Sequence, residues 1–168
     1  MIHIRQETQA DHRAVHAINF AAFETSAEAD LVDVLRVQAD PVVSLVAEID
    51  GQVVGHILFS PVTLSGHPEL KIMGLAPMAV LPEHQRQGVG SSLVRAGIKE
   101  CSERGAIALV VLGHPEYYPK FGFVPSSRFG IGCEYEVPEE VFMVMELHTD
   151  SLKGKSGSIK YHSAFSEL

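Results

Sequence analysis

The chain has 168 residues, enough for one hydrophobic core and short for two. Its 46 % apolar and 20 % charged residues suit a water-soluble globular protein. A net charge of −8 with neutral histidines argues against general nucleic-acid binding, which needs a basic face, and no apolar run approaches the roughly 18 residues of a membrane span.

In chain order, Ile2 and Ile4 alternate with His3 and Arg5 as a short first strand. Thr8 can cap a helix starting near Ala10, along which Val15, Ile18, Ala22 and Phe23 keep helical spacing. A second helix is expected from Ser26 to Gln38, with Leu31, Val34 and Leu35 facing inward and Asp40-Pro41 breaking it. Val43–Ile49 and Gln52–Phe59 are apolar runs joined by Asp50-Gly51, a strong hairpin signal. Ser60-Pro61 interrupts the second run, and Ser65 to Pro68 is a loop. A central strand follows over Leu70–Leu81.

Pro82 cannot donate to a ladder and ends that strand. After a polar turn, Gly88, Val89 and Gly90 open a helix that runs to Arg104, with Gly105 as its cap. Ala106–Leu112 is an uncharged apolar run suited to a buried parallel strand. Strand, helix and strand make a right-handed βαβ crossover. Glu116–Phe121 suits a short helix, Gly122–Pro125 starts a strand, Ser126–Cys133 reads as loop, and Val141–Leu147 is a last long strand. The division expected is a single domain over residues 1–148 and a C-terminal tail, 149–168, either flexible or docked through Ile159, Tyr161 and Phe165.

The stretch from Pro77 to Ser92 carries the strongest functional signal. A strand, a glycine-rich turn and a helix N-terminus bind anions for a physical reason. The first N–H groups of a helix lack partners within it, and the aligned dipoles place about half a positive charge there. Glycines let a phosphate approach the backbone closely. No GxxxxGK[ST] string exists, and Gly88 and Gly90 lack the third glycine of a dinucleotide fingerprint, which disfavours a doubly wound nucleotide-binding protein. An ordinary strand-to-helix turn is the bland alternative.

Gln85-Arg86-Gln87-Gly88-Val89-Gly90 resembles the [RQ]xxGx[GA] pyrophosphate loop of the GNAT (GCN5-related) N-acetyltransferases. Met78-Ala79-Val80-Leu81-Pro82-Glu83 looks like the strand entering that loop, which in the family carries a bulge pairing with the pantetheine arm of acetyl-CoA. Glu116 to Phe123 is similar to the family's YxxxGF segment. The longer stretch Gly113 to Phe123, together with Lys160 to Phe165, resembles the YhbS-like branch. The resemblance implies an α/β fold, a central mixed sheet of six to seven strands flanked by about four helices. It implies acetyl-CoA as cosubstrate, held by Met78, Ala79, Val80, Gln85, Arg86, Gln87, Gly88, Val89, Gly90 and Ser91. Gln85 stands where arginine is common, and backbone donors would still hold the phosphates.

The same resemblance puts Tyr118 four residues before the glycine of the Gly122-Phe123 pair, as general acid to the leaving thiolate. A phenol is protonated at neutral pH and can serve so; a core tyrosine with a bonded hydroxyl is the alternative, and Tyr117 could exchange roles with it. The backbone N–H near Val80 is the candidate donor to the carbonyl oxygen. The base stays open among His114, Glu24, His56 and water, because the central strand carries no Asp or Glu from Lys71 to Val80. The histidines show no metal-binding spacing, and no metal is expected.

The function expected is acetyl transfer to a primary amine of a small molecule or protein. A non-catalytic acyl-CoA-binding or sensor domain is the alternative. No nucleic-acid or membrane partner is expected, and there is room for a homodimer. Cys101 and Cys133 lie far apart without metal spacing, and with no apolar leader at the N-terminus they point to reduced thiols and a cytoplasmic protein.

Overall fold

The computed structural model describes residues 1–167. One mixed sheet runs through the molecule. Its strands are β1 (Ile2–Gln6), β2 (Val43–Ile49), β3 (Gln52–Leu64), β4 (His67–Val80), β5 (Ala108–Leu112), β6 (Val124–Pro125), β7 (Ile131–Cys133), β8 (Phe142–Glu146) and β9 (Gly157–Lys160). The main order is β1-β2-β3-β4-β5-β8-β6, and β9 joins the far end of β3 to β7. Three α-helices cover it: α1 (His12–Phe23), α2 (Ala27–Gln38) and α3 (Val89–Glu103).

The β4–α3–β5 unit is the expected crossover, with β4 and β5 parallel from Ile72 beside Ala108 to Leu75 beside Val111. β5 shows why its apolar run has no polar face. Ala108 and Val110 pack with α1, α2 and the C-terminal segment, while Leu109 and Val111 pack with α3 on the other side. The α3 layer is close-packed: a Cβ on Gly97 would lie 2.2 Å from the ring of buried Phe59. Only glycine lets the helix lie that close to β3. The Asp50-Gly51 hairpin forms with φ of 52° and 79°, the left-handed pair such a turn needs.

Several boundaries differ from expectation. Among the described residues there are nine strands where six to seven were expected, and three α-helices where about four were expected. The short helix at Glu116–Phe121 is a 3₁₀ turn over Tyr118–Phe121. The interruption at Ser60-Pro61 does not end β3; register shifts on either side absorb the proline, and the strand continues to Leu64. β4 starts at His67, earlier than Leu70. The region read as loop over Ser126–Cys133 contains a 3₁₀ turn and β7. β8 is not the last strand, because β9 follows and buries Ile159. Thr8 caps a 3₁₀ turn ahead of α1, where Asp11 accepts from its N–H at 2.7 Å and from both Arg5 terminal nitrogens.

His56 is a polar side chain inside this apolar sheet. It is fully buried, with Ser44 Oγ 2.9 Å from Nε2 and Asn19 Nδ2 3.3 Å from Nδ1. Burial, reinforced by the Arg36 charge, pushes its pKa down to about 3. The unfolded chain takes up this proton near pH 6.5 and the folded chain does not. The contribution is therefore intact above pH 6.5 and is lost as pH falls toward 3, at up to about 1.4 kcal/mol per pH unit. The melting temperature is expected to drop between pH 7.5 and 5, and to drop less in His56→Gln. Equal drops in the two proteins would assign the acid sensitivity to other groups.

Candidate functional site

The site begins where β4 and β5 part. Their pairing stops at Leu75 and Val111, yet β4 continues beside β3 to Val80. Between Leu75 and Met78 the β3–β4 register shifts: Phe59 faces Leu75 and Ile57 faces Met78, so Ala76 and Pro77 form a bulge. Leu81 donates its N–H to Val54 O at 2.9 Å. Backbone groups alternate along a strand, so the N–H and C=O of Val80 and Met78 turn away from β3, toward the side β5 has left. The Val80 carbonyl accepts from Gln85 Nε2 at 3.0 Å.

A cavity of about 630 Å³ fills the gap between the strands. Leu75 to Met78 form one wall, and Val111 to His114 with Tyr118 form the facing one. The strand's end leads into the glycine-rich loop. Gly88 is the N-cap of α3 at φ 85°, and Arg86 also has positive φ, at 64°. Ser92 N–H closes the first helical bond, to Gly88 O at 3.0 Å. The N–H groups of Val89, Gly90 and Ser91 precede that bond and point out of the helix end. The side chain of Val89 is buried against the sheet, so only its backbone can face a ligand. Gln85 to Gly88 are exposed, and Ser91 Oγ lies 3.1 Å from the Tyr117 hydroxyl. A loop of free N–H groups with no side chain at Gly88 or Gly90 fits a pyrophosphate.

Tyr118 is 7 % exposed and lines the cavity. Its ring lies against Gly113, where a Cβ would come within 2.5 Å. Burial, with a smaller effect of Tyr117, pushes its pKa up to about 12, so it stays a protonated phenol at neutral pH. His114 is exposed and lines the same cavity, and its carbonyl accepts the Tyr117 N–H at 3.1 Å. Glu24 is elsewhere: it caps α1 in the left-handed conformation, φ 62°, exposed and off the cavity wall. Glu28, four residues later on α2, lines the cavity instead. His56 is sealed between Ser44 and Asn19 and cannot meet a substrate. On the far wall, Tyr161 and Phe165 belong to the tail that the sequence marked as able to dock, whereas Phe23 and Leu31 showed only ordinary apolar spacing and Tyr135 no signal. The fold also gathers His16, Asp30 and Asp33, with one ligand atom of each within 4.8 Å of the others, which residue spacing did not suggest. Asp33 is already paired with Arg36 at 2.9 Å, and none of the three lines the cavity.

Residues 5–123 match the family model described as the acetyltransferase (GNAT) family. The chain belongs to the GNAT family. It is 37 % identical over 166 residues to the N-acetyltransferase YhbS of Escherichia coli K12, itself uncharacterized, covering 98 % of this chain and 99 % of that one. It is 41 % identical over 136 residues to E. coli YjhQ, covering 79 % and 75 %. The crystal structure of E. coli YhbS in complex with CoA superposes with a TM-score of 0.92 at 36 % identity, over 98 % of this chain and 92 % of that one. A GNAT acetyltransferase from Brucella melitensis in complex with acetyl-CoA gives 0.80 at 35 % identity, over 98 % of each. The YhbS-like features at Gly113 to Phe123 and Lys160 to Phe165 thus lie in a chain of GNAT fold throughout. Among the described residues, no helix is long and apolar enough to cross a membrane.

Proposed function

We propose that the chain transfers the acetyl group of acetyl-CoA directly to a primary amine. The observation that carries this is the parting of β4 and β5 at Leu75 and Val111, with Tyr118 on one wall and the free N–H groups of α3 at the end of the other. Similar chains solved with CoA and with acetyl-CoA support the cofactor. Acetyl-CoA brings a thioester: nitrogen attack on its carbonyl carbon forms the C–N bond and breaks C–S. The α3 N-terminus, with Gly88 and Gly90, holds the pyrophosphate. The bulged β4 offers the N–H of Met78 and Val80 to the arm and to the carbonyl oxygen. Tyr118 gives its hydroxyl to the sulfur as charge builds there. The proton of the ammonium leaves to water or to His114 at the cavity wall.

Acetyl-CoA is expected to raise the melting temperature. A ligand at 100 times its Kd adds about 2.7 kcal/mol, or roughly 5–11 °C for a domain of this size. NAD and ATP are the comparisons. A shift with either and none with acetyl-CoA would sink the assignment. Release of CoA in the presence of amines then separates an enzyme from a binding module.

A further inference from the structure

We propose that the acceptor is a small primary amine carried on an apolar, aromatic body, and that Glu28 receives its ammonium group. This rests on the acetyltransferase reading and specifies its second substrate.

The cavity passes through the sheet. Tyr118 and Met78 belong to the layer packed with α3, whereas Leu31, Tyr161 and Phe165 belong to the opposite layer with α1 and α2. The phosphate loop lies on the α3 side. A cofactor entering there leaves the other mouth for the acceptor, which reaches the thioester through the gap between β4 and β5.

That second mouth has a definite chemistry. Its walls are Phe23, Leu31, Tyr135, Tyr161 and Phe165. Tyr135 and Phe23 are each 37 % exposed, large rings left uncovered at the rim. Tyr161 stacks with Tyr135 and Phe165, at centroid distances of 6.0 and 5.3 Å. Such rings favour an apolar body. The Tyr161 hydroxyl is buried and has no partner among the described residues, and burial keeps it protonated. It is an unused hydrogen-bonding group in the wall. Among the described residues that line the cavity, Glu28 is the one carboxylate. It is half-buried, and only the Thr25 hydroxyl, at 3.3 Å, reaches it. One carboxylate among aromatic rings fits one ammonium on an apolar frame; a hydrophilic polyamine would strand its second charge against the rings. The cavity of about 630 Å³ is shared with the cofactor's arm, which leaves the acceptor room for a small molecule.

The test measures CoA release at saturating acetyl-CoA with 2-phenylethylamine and with 1,4-diaminobutane, and titration calorimetry of 2-phenylethylamine into the protein–CoA complex. The aromatic amine is expected to have the higher kcat/KM, by about tenfold or more. Glu28→Gln is expected to raise its KM by roughly tenfold, more than it lowers kcat, and to keep the melting shift with acetyl-CoA. Tyr135→Ala, at the rim, should weaken 2-phenylethylamine and spare 1,4-diaminobutane. 2-Phenylethanol, which has the ring and lacks the charge, should compete poorly. Preference for the diamine, a KM indifferent to Glu28→Gln, or absence of 2-phenylethylamine binding and turnover in a protein that acetyl-CoA still stabilises would each overturn the proposal. If acetyl-CoA itself fails to stabilise the protein, the transferase reading falls first and takes this one with it.

Discussion

Gly90→Val is expected to weaken CoA binding by roughly 10- to 150-fold while the fold stays intact. The magnitude corresponds to losing one charge-assisted hydrogen bond, about 1.5–3 kcal/mol. Gly90 is the second residue of α3, and its N–H is one of three that point out of the helix end. A Cβ there would lie 3.3 Å from the Tyr117 hydroxyl and 3.5 Å from Met78 Cε. The branched methyls of valine extend further, onto the Tyr117–Ser91 pair or across the space a phosphate needs. The cause is crowding and not backbone strain. Strain belongs to Gly88, whose φ is 85°; Gly90 is not among the glycines of positive φ. Gly88→Val would therefore disturb the turn itself and is the less clean variant. Calorimetric titration with CoA and far-ultraviolet circular dichroism check the expectation. Unchanged affinity in a folded Gly90→Val protein would place the phosphates elsewhere.

The strand, glycine turn and helix start at 77–92 were legible because their signals are local. Free N–H groups, glycines and a helix start occupy consecutive residues, and the apolar run of β5 announces a strand buried on both faces. The hairpin at Asp50-Gly51 is local in the same way. The cavity is different. It depends on where β4 and β5 stop pairing, which is decided by the bulge at Ala76-Pro77 and by the strands on either side. β7 and β9 have three and four residues, too short for any period to show, and each is stabilised by partners far away in the chain. On sequence, Glu24 stands as a candidate base and Glu28 does not. The left-handed turn at Glu24 ends α1 and sends its side chain to solvent, while α2 carries Glu28 back to the cavity. His56 sits in an apolar run that gives no sign of the Ser44 and Asn19 partners that tie it up.

Tyr118→Phe is expected to lower turnover by at least about 10², the lower bound of general acid assistance, with little change in CoA affinity. The substitution removes one hydroxyl and keeps the ring. Its edge-to-face contacts with Tyr117 and Phe123, at centroid distances of 5.1 and 5.7 Å, remain, so the fold should hold. The hydroxyl's pKa near 12 refines the role. In the proposed role the hydroxyl stays protonated and donates a hydrogen bond that strengthens as the sulfur gains charge. The hydroxyl also keeps its proton throughout the neutral and mildly alkaline range, so Tyr118 should impose no loss of rate between pH 7 and pH 10. Tyr117→Phe is the informative comparison. Its hydroxyl meets Ser91 at the phosphate loop, so its loss should appear in CoA affinity and less in turnover. Slow hydrolysis of acetyl-CoA can report the rate before an acceptor is identified. Near-full turnover in Tyr118→Phe, with chemistry shown to be rate-limiting, would make the hydroxyl structural. A large fall in turnover for Tyr117→Phe and a small one for Tyr118→Phe would move the donor one residue back along the 3₁₀ turn.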